Sequence, residues 1–134
     1  MTNPSLVVRR LLFGALALLA ACATVDTTRL AASPRPMHPR PSYTVEVYVT
    51  NRPERAYVEV SVISVQEGGL VVTGEREVVL DQTIDEAARM GCDGIIILDV
   101  GDAKSYDGKG EVQPATLDAV CFVYAPPPES VTLR

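Results

Sequence analysis

The chain has 134 residues, of which 12 are basic and 17 acidic, giving a net charge of −5. An acidic surface repels phosphate backbones and gains no affinity from counterion release, which argues against nucleic-acid binding. The length allows one small domain with flanking segments, and a composition with no tryptophan, two phenylalanines and many valines and isoleucines predicts a β-branched core suited to a sheet.

Residues 1–21 have the layout of a secretory signal: Arg9 and Arg10, then an apolar run from Leu11 to Ala21. The run is shorter than the roughly 20 apolar residues that a spanning helix needs. The stretch Leu19, Ala20, Ala21, Cys22 resembles the bacterial lipobox, which implies a signal peptide cut before Cys22 and lipid on that cysteine. The arginine pair lacks the flanking residues of twin-arginine export, which favours general secretion. By resemblance to lipoprotein sorting, Ala23 in place of an aspartate points to the outer membrane, with the chain facing the periplasm or the cell surface. Removing residues 1–21 leaves 113 residues with 10 basic and 17 acidic side chains, a net charge of −7.

Residues 22–42 hold Pro34, Pro36, Pro39 and Pro41 among Arg29, Arg35, His38 and Arg40. Proline at this density predicts an extended spacer, which at about 3.1 Å per residue could hold a domain up to roughly 60 Å from its lipid. Its arginines are either solvated or placed for anionic headgroups or a partner protein.

The folded part is expected over 43–125. Alternation of Val45, Val47 and Val49 with Thr44, Glu46 and Tyr48 predicts a half-buried strand, and residues 57–65 alternate again with Val58, Val60 and Val62 on one face. The polar turn between them suggests a hairpin or neighbouring strands. Gly68 and Gly69 end the pattern, and Leu70 to Thr73 could form a strand fragment. A helix follows over about 77–90, with Leu80, Ile84, Ala87 and Ala88 on its apolar side; the capping-box spacing of Thr83 and Glu86 would allow a later start. Gly91 is placed to stop it. Residues 94–100 form a continuous apolar run, the pattern of a central strand. The loop that follows carries the Asp107-Gly108 turn signal, residues 115–125 form the last strand, and 126–134 are a proline-rich tail. The order strand, strand, helix, strand, strand predicts an α+β fold, with one helix on a mostly antiparallel sheet of about four strands.

Cys92, between Gly91 and Asp93, could be a nucleophile, a metal ligand or a structural cysteine. Cys22 is assigned to lipid, and two cysteines left in an oxidising compartment usually pair. If the last two strands form a hairpin, residues near 95 lie opposite residues near 121, which brings Cys92 towards Cys121. Separate buried thiols or redox chemistry are the alternatives. No zinc site is expected, because the single histidine, His38, lies in the spacer. The acidic loop with Asp99, Asp102, Asp107 and Glu111 raises calcium as a second possibility, without EF-hand spacing. No cofactor and no catalytic residues are expected, since no histidine lies in the globular part and no glycine-rich phosphate loop precedes the helix. Glu46 and Glu59 could meet across the first two strands.

The lipobox, the arginine-bearing proline-rich spacer, the helix-to-strand junction from Ala87 to Asp99 and the cysteine in the last strand together resemble the Rcs stress-sensor lipoprotein and the wider YbjQ-like superfamily. The resemblance covers roughly 43–125. It implies a non-enzymatic envelope lipoprotein, a sensor or interaction module with an envelope protein as partner. The sensor family uses two disulfides, whereas Cys92 and Cys121 allow one here.

Overall fold

The centre of the sheet is an antiparallel pair whose inward residues are almost all apolar. The computed structural model describes residues 23–68, 74–101 and 114–127. In chain order its elements are β1 (Thr24–Arg29), a 3-10 turn (Ser42–Thr44), β2 (Glu46–Tyr48), β3 (Tyr57–Gln66), α1 (Arg76–Met90), β4 (Gly94–Gly101) and β5 (Thr116–Tyr124). They form an α+β domain with one helix and a five-stranded sheet of order β1-β3-β5-β4-β2. β3 and β4 each pair antiparallel with β5, so α1 makes a split crossover that leaves room for β5 between its two flanking strands.

Two expectations about the sheet are corrected. It is mostly antiparallel as expected but has five strands and one parallel pair, because β2 pairs parallel with β4 and residues 24–29, within the stretch read as a spacer, form β1 antiparallel to β3. The first two expected strands form no hairpin: β2 and β3 are separated by β4 and β5, and residues 49–56 carry the chain between them. Local alternation marked these segments as strands but could not say which strand each one joins.

The faces also shift from simple alternation. A bulge between Glu59 and Ser61 changes the phase of β3. Val58, Val60, Ile63 and Val65 therefore pack in the helix-side core, whereas Val62 packs on the opposite face. A bulge offers an extra residue to one partner residue, so a period-2 pattern read across it fails. In β4 a second irregularity between Ile97 and Asp99 leaves Leu98 52% exposed. Only Val45 of the three expected valines near β2 is buried; Val47 and Val49 are exposed, because β2 is a three-residue edge strand.

The helix-side core contains Val79, Ala87 and Ala88 of α1 against Ile63, Ile95, Leu117, Ala119, Cys121 and Val123. The centre of the buried helix face is Val79, Thr83 and Ala87, while Leu80 and Ile84 flank it. Thr83 is a mid-helix core residue whose hydroxyl donates to the Val79 carbonyl at 2.6 Å. This back-bond satisfies a buried polar group and rules out its reading as a cap. On the other face Phe122, fully buried, is ringed by Tyr57, Tyr124 and Tyr48 at centroid distances of 5.2, 5.3 and 5.8 Å.

Beyond β3, Glu67 is buried, and its Oε2 accepts from the amides of Gly74 at 2.7 Å and Ala115 at 3.3 Å. The carboxylate ties together the end of β3, the approach to α1 and the approach to β5. The possible strand fragment at 70–73 lies outside the described residues.

Gly91 ends α1 with φ +86°, and its amide donates to the carbonyls of Ala87 and Ala88. A Cβ there would stand 2.5 Å from the backbone oxygen of His38. Gly94 is needed for packing: a Cβ would meet the Phe122 ring at 2.5 Å and the Glu46 carbonyl oxygen at 2.6 Å. Gly91→Ala is therefore expected to lower unfolding free energy by at least about 2 kcal/mol, from the left-handed penalty plus the backbone clash. Urea denaturation checks this; a loss under half of that would mean that the 38–40 segment moves aside freely.

Candidate functional site

The chemistry of the domain gathers at one end of the sheet, where α1 stops, β4 begins and β5 finishes. Gly91 turns the chain, and Asp93 then stands at the entry to β4 with its carboxylate turned inward. Asp93 Oδ1 accepts from Arg35 at 2.6 Å and Arg40 at 2.5 Å, while Oδ2 accepts from the Tyr124 amide at 2.8 Å. Arg40 also donates to Thr44 Oγ1 and to the Cys92 carbonyl, and its backbone amide caps the Ala88 carbonyl at 2.9 Å. A guanidinium beside a helix C-terminus is favoured by the helix dipole as well as by the hydrogen bonds.

Segment 30–41 is thus fastened to the domain at its arginines, with Met37 packed on the core. Proline density does not prevent this, since prolines carry no amide to satisfy and have little backbone freedom to lose.

Cys92 and Cys121 form a disulfide with Cα atoms 5.7 Å apart, spanning 29 residues of sequence. Ile95 lies opposite Cys121 in the β4-β5 ladder, so Cys92 sits just beyond the ladder end. Both cysteines are fully buried. Closing a loop of this length corresponds to about 3–4 kcal/mol on the chain-entropy view. The bridge fixes α1's exit to the central strand immediately beside Asp93.

A recess of about 480 Å³ adjoins this junction, lined by Glu46, Tyr48, Asn51, Arg52, Glu54, Arg55 and Tyr124. Its floor is organised by Glu46, whose Oε2 accepts from the hydroxyls of Tyr124 at 2.6 Å and Tyr48 at 2.8 Å. The Glu46 amide in turn donates to the Asp93 carbonyl, so recess and junction share a backbone link. Arg55 lies over the Tyr124 ring, 4.6 Å from its centroid, and Arg52 pairs with Glu59 at 3.0 Å. Arg55 also donates weakly to the Ala125 carbonyl at 3.4 Å, and a stacked guanidinium can still present further donors to carboxylate or phosphate groups, while the tyrosines offer flat amphipathic surface. The arrangement suits binding.

Two groups here, the Asp93 carboxyl and the Tyr124 phenol, shift their protonation in definite directions. Burial alone would raise the Asp93 pKa, but the Arg35 hydrogen bond and charge, the Tyr124 amide and Arg40 outweigh it and hold the carboxyl below its usual range. Burial, then the hydrogen bond to Glu46 and the contact with Tyr48, push the Tyr124 phenol well above its ordinary value.

Of the residues singled out in the sequence, the structure brings Cys92 and Cys121 together and keeps Glu46 and Glu59 apart on strands separated by two others. His38 is exposed, with its backbone against Gly91. Cys22 and the loop residues Asp102, Asp107 and Glu111 lie outside the described residues. Asp99 is exposed and stands opposite Asp118, which stands opposite Ser64, itself opposite Asp26, so three aspartates share one row of the sheet. Among the described residues no group of three His, Cys, Asp or Glu side chains could hold a metal ion. Sequence reading missed the Arg35-Arg40-Asp93 clamp and the Glu46 recess. The one available signal for the clamp was Asp93, two residues after the helix-stopping Gly91 and opposite in charge to the arginines of the proline-rich segment.

Among the described residues no helix is long and apolar enough to cross a membrane. Comparison with family models and with curated proteins finds no match. Among solved structures, the Francisella virulence factor FvfA is similar at 13% identity and a TM-score of 0.49, covering 75% of this chain and 97% of that one. A likeness of that degree bears on neither activity nor partners.

Asp93→Asn should cost about 1–2 kcal/mol at neutral pH, since the lost bonds are charge-assisted but partly exposed. Because the folded-state pKa is depressed, this contribution is full above the ordinary aspartate value of about 3.9 and fades as pH falls through the lower folded value. Unfolding curves of wild type and variant should therefore converge below pH 4; a constant gap would show that the charge is irrelevant. Ultraviolet titration should resolve one tyrosine ionising far above pH 10, and Tyr124→Phe should remove that phase. An unchanged titration in the variant would reassign it.

Proposed function

We propose that the chain is a lipid-anchored lipoprotein of the bacterial cell envelope, carried on Cys22, whose domain is a non-enzymatic sensor or interaction module. The observation that carries this reading is the recess: a carboxylate held by two phenols and flanked by Arg52 and Arg55, built directly on the disulfide-braced junction at Asp93. Glu46, Tyr48 and Tyr124 are tied to one another by hydrogen bonds, and the exposed Arg52 and Arg55 guanidinium groups suit an anionic group on a protein or envelope component. The buried disulfide accords with an oxidising compartment, and the lipobox supplies the anchor.

Two measurements test the reading. Cys22→Ser should abolish the lipid mass on the mature N-terminus and shift the protein out of the membrane fraction; unaltered processing and fractionation would remove the anchor from the proposal. A photocrosslinking residue at Asn51 should yield discrete adducts in intact cells that a residue at Glu77, exposed on the helix, does not give. Arg55→Glu should reduce them several-fold. Adducts identical from both positions would show that the recess is no contact surface.

A further inference from the structure

A cavity of about 210 Å³ lies on the helix side of the sheet, on the face opposite the Phe122 cluster and its tyrosines. Its floor is Val60 and Ser61 of β3, both buried. Met37 and Met90, half-buried and packed on the core, form its walls, and the exposed Arg29 and Ala31 stand at its rim. The amides of Leu30 and Ala31 both donate to the Val60 carbonyl, which fastens the rim to the floor. Ala31 and Met37 belong to the segment that Asp93 holds through Arg35 and Arg40, so the same clamp keeps the outer wall in place.

Two polar side chains of this lining are available to a ligand. Ser61 is 4% exposed, and its hydroxyl has no hydrogen-bond partner among the described residues. A buried hydroxyl in that state is unfavourable until an acceptor reaches it. The Ser33 hydroxyl, by contrast, already donates to the Arg35 carbonyl at 2.6 Å. Arg29 lies directly opposite Ser61 in the β1-β3 ladder, and Cys121, opposite Ser61 in the β3-β5 ladder, belongs to the helix-side core. Opposed residues share a face with Cβ atoms about 5 Å apart, so the serine and arginine side chains leave the sheet together on the side of the cavity. Arg29 makes no ion pair among the described residues, whereas Asp93 is taken by Arg35 and Arg40, Glu86 by Arg89 and Glu59 by Arg52.

We infer that this cavity binds a straight-chain carboxylate of about six to eight carbons, its head between Arg29 and Ser61 and its tail between Met37 and Met90. A dry apolar cavity of about 150 Å³ takes one benzene ring, so 210 Å³ takes roughly eight heavy atoms. That is one short tail with its head, and a two-chain lipid is several times too large. One carboxylate oxygen accepts from the guanidinium and the other from the Ser61 hydroxyl, whereas a phosphate would leave further oxygens against Val60 with no donor. Methionine side chains are unbranched and polarizable, which lets the two walls follow a flexible tail. The inference depends neither on lipid at Cys22 nor on the Glu46 recess.

The chain has three methionines, and two of them, Met37 and Met90, line the cavity, so their methyl groups report on it directly. The full chain, isotope-labelled at its methionine methyls and held in phosphatidylcholine nanodiscs, is titrated with hexanoate and, separately, with its neutral isostere hexanamide. Hexanoate should shift the Met37 and Met90 resonances in NMR spectra and saturate with a Kd of about 0.1–1 mM, the range for a ligand of this size. Hexanamide should bind at least fivefold more weakly. Arg29→Gln, on an exposed side chain, should weaken hexanoate at least fivefold, and Ser61→Ala, which removes an unbonded hydroxyl, about threefold, both with an unchanged Tm. Shifts that grow without saturation, equal binding of hexanoate and hexanamide, or a folded Arg29→Gln protein that binds hexanoate as tightly as wild type would each overturn the inference. If either variant fails to fold, the comparison of hexanoate with hexanamide on the wild-type chain decides alone.

Discussion

The Asp93 carboxylate is the point on which the architecture depends. It lies where α1 hands over to β4 and takes three donors from two other parts of the chain: Arg35 and Arg40 from the proline-rich segment and the Tyr124 amide from the end of β5. Each donor is charge-assisted, so the group is strongly held although it is not deeply buried. The disulfide beside it fixes the same junction covalently. Together they tie the N-terminal segment, the helix exit and two strands to one locus.

That locus also supports the recess. Glu46 is positioned because its backbone bonds to the Asp93 carbonyl and because Gly94 lets β2 approach closely enough for the parallel pairing to start. The tyrosines around it use their rings to cover Phe122 and their hydroxyls to satisfy Glu46. The second face of the sheet therefore has a small buried apolar cluster around Phe122, covered by tyrosines whose hydroxyls are organised by Glu46.

Parts of this were legible in the sequence because they are governed by local rules. The helix runs over 76–90 against an expectation of about 77–90, since its apolar spacing and the glycine stop are both short-range signals. The continuous run after Gly94 and the strand before Pro126 are found where expected for the same reason. The β2 and β3 faces were misjudged, because a bulge at Val60 and an edge position for β2 are settled by neighbours and leave no mark in a period-2 pattern. The spacer reading failed to find β1 because six exposed residues, Thr24–Arg29, carry no hydrophobic pattern. Their pairing comes from the open edge of β3.

The sequence by itself determined the α+β class and the helix with its glycine stop, because each depends on residue type and near-neighbour spacing. Tertiary structure alone decided the strand order, the parallel placement of β2, the docking of the proline-rich arginines on Asp93 and the recess around Glu46. These depend on pairings between distant residues, such as Arg40 with Asp93 and Tyr124 with Glu46, whose energy exists only once the sheet has brought them within hydrogen-bonding distance.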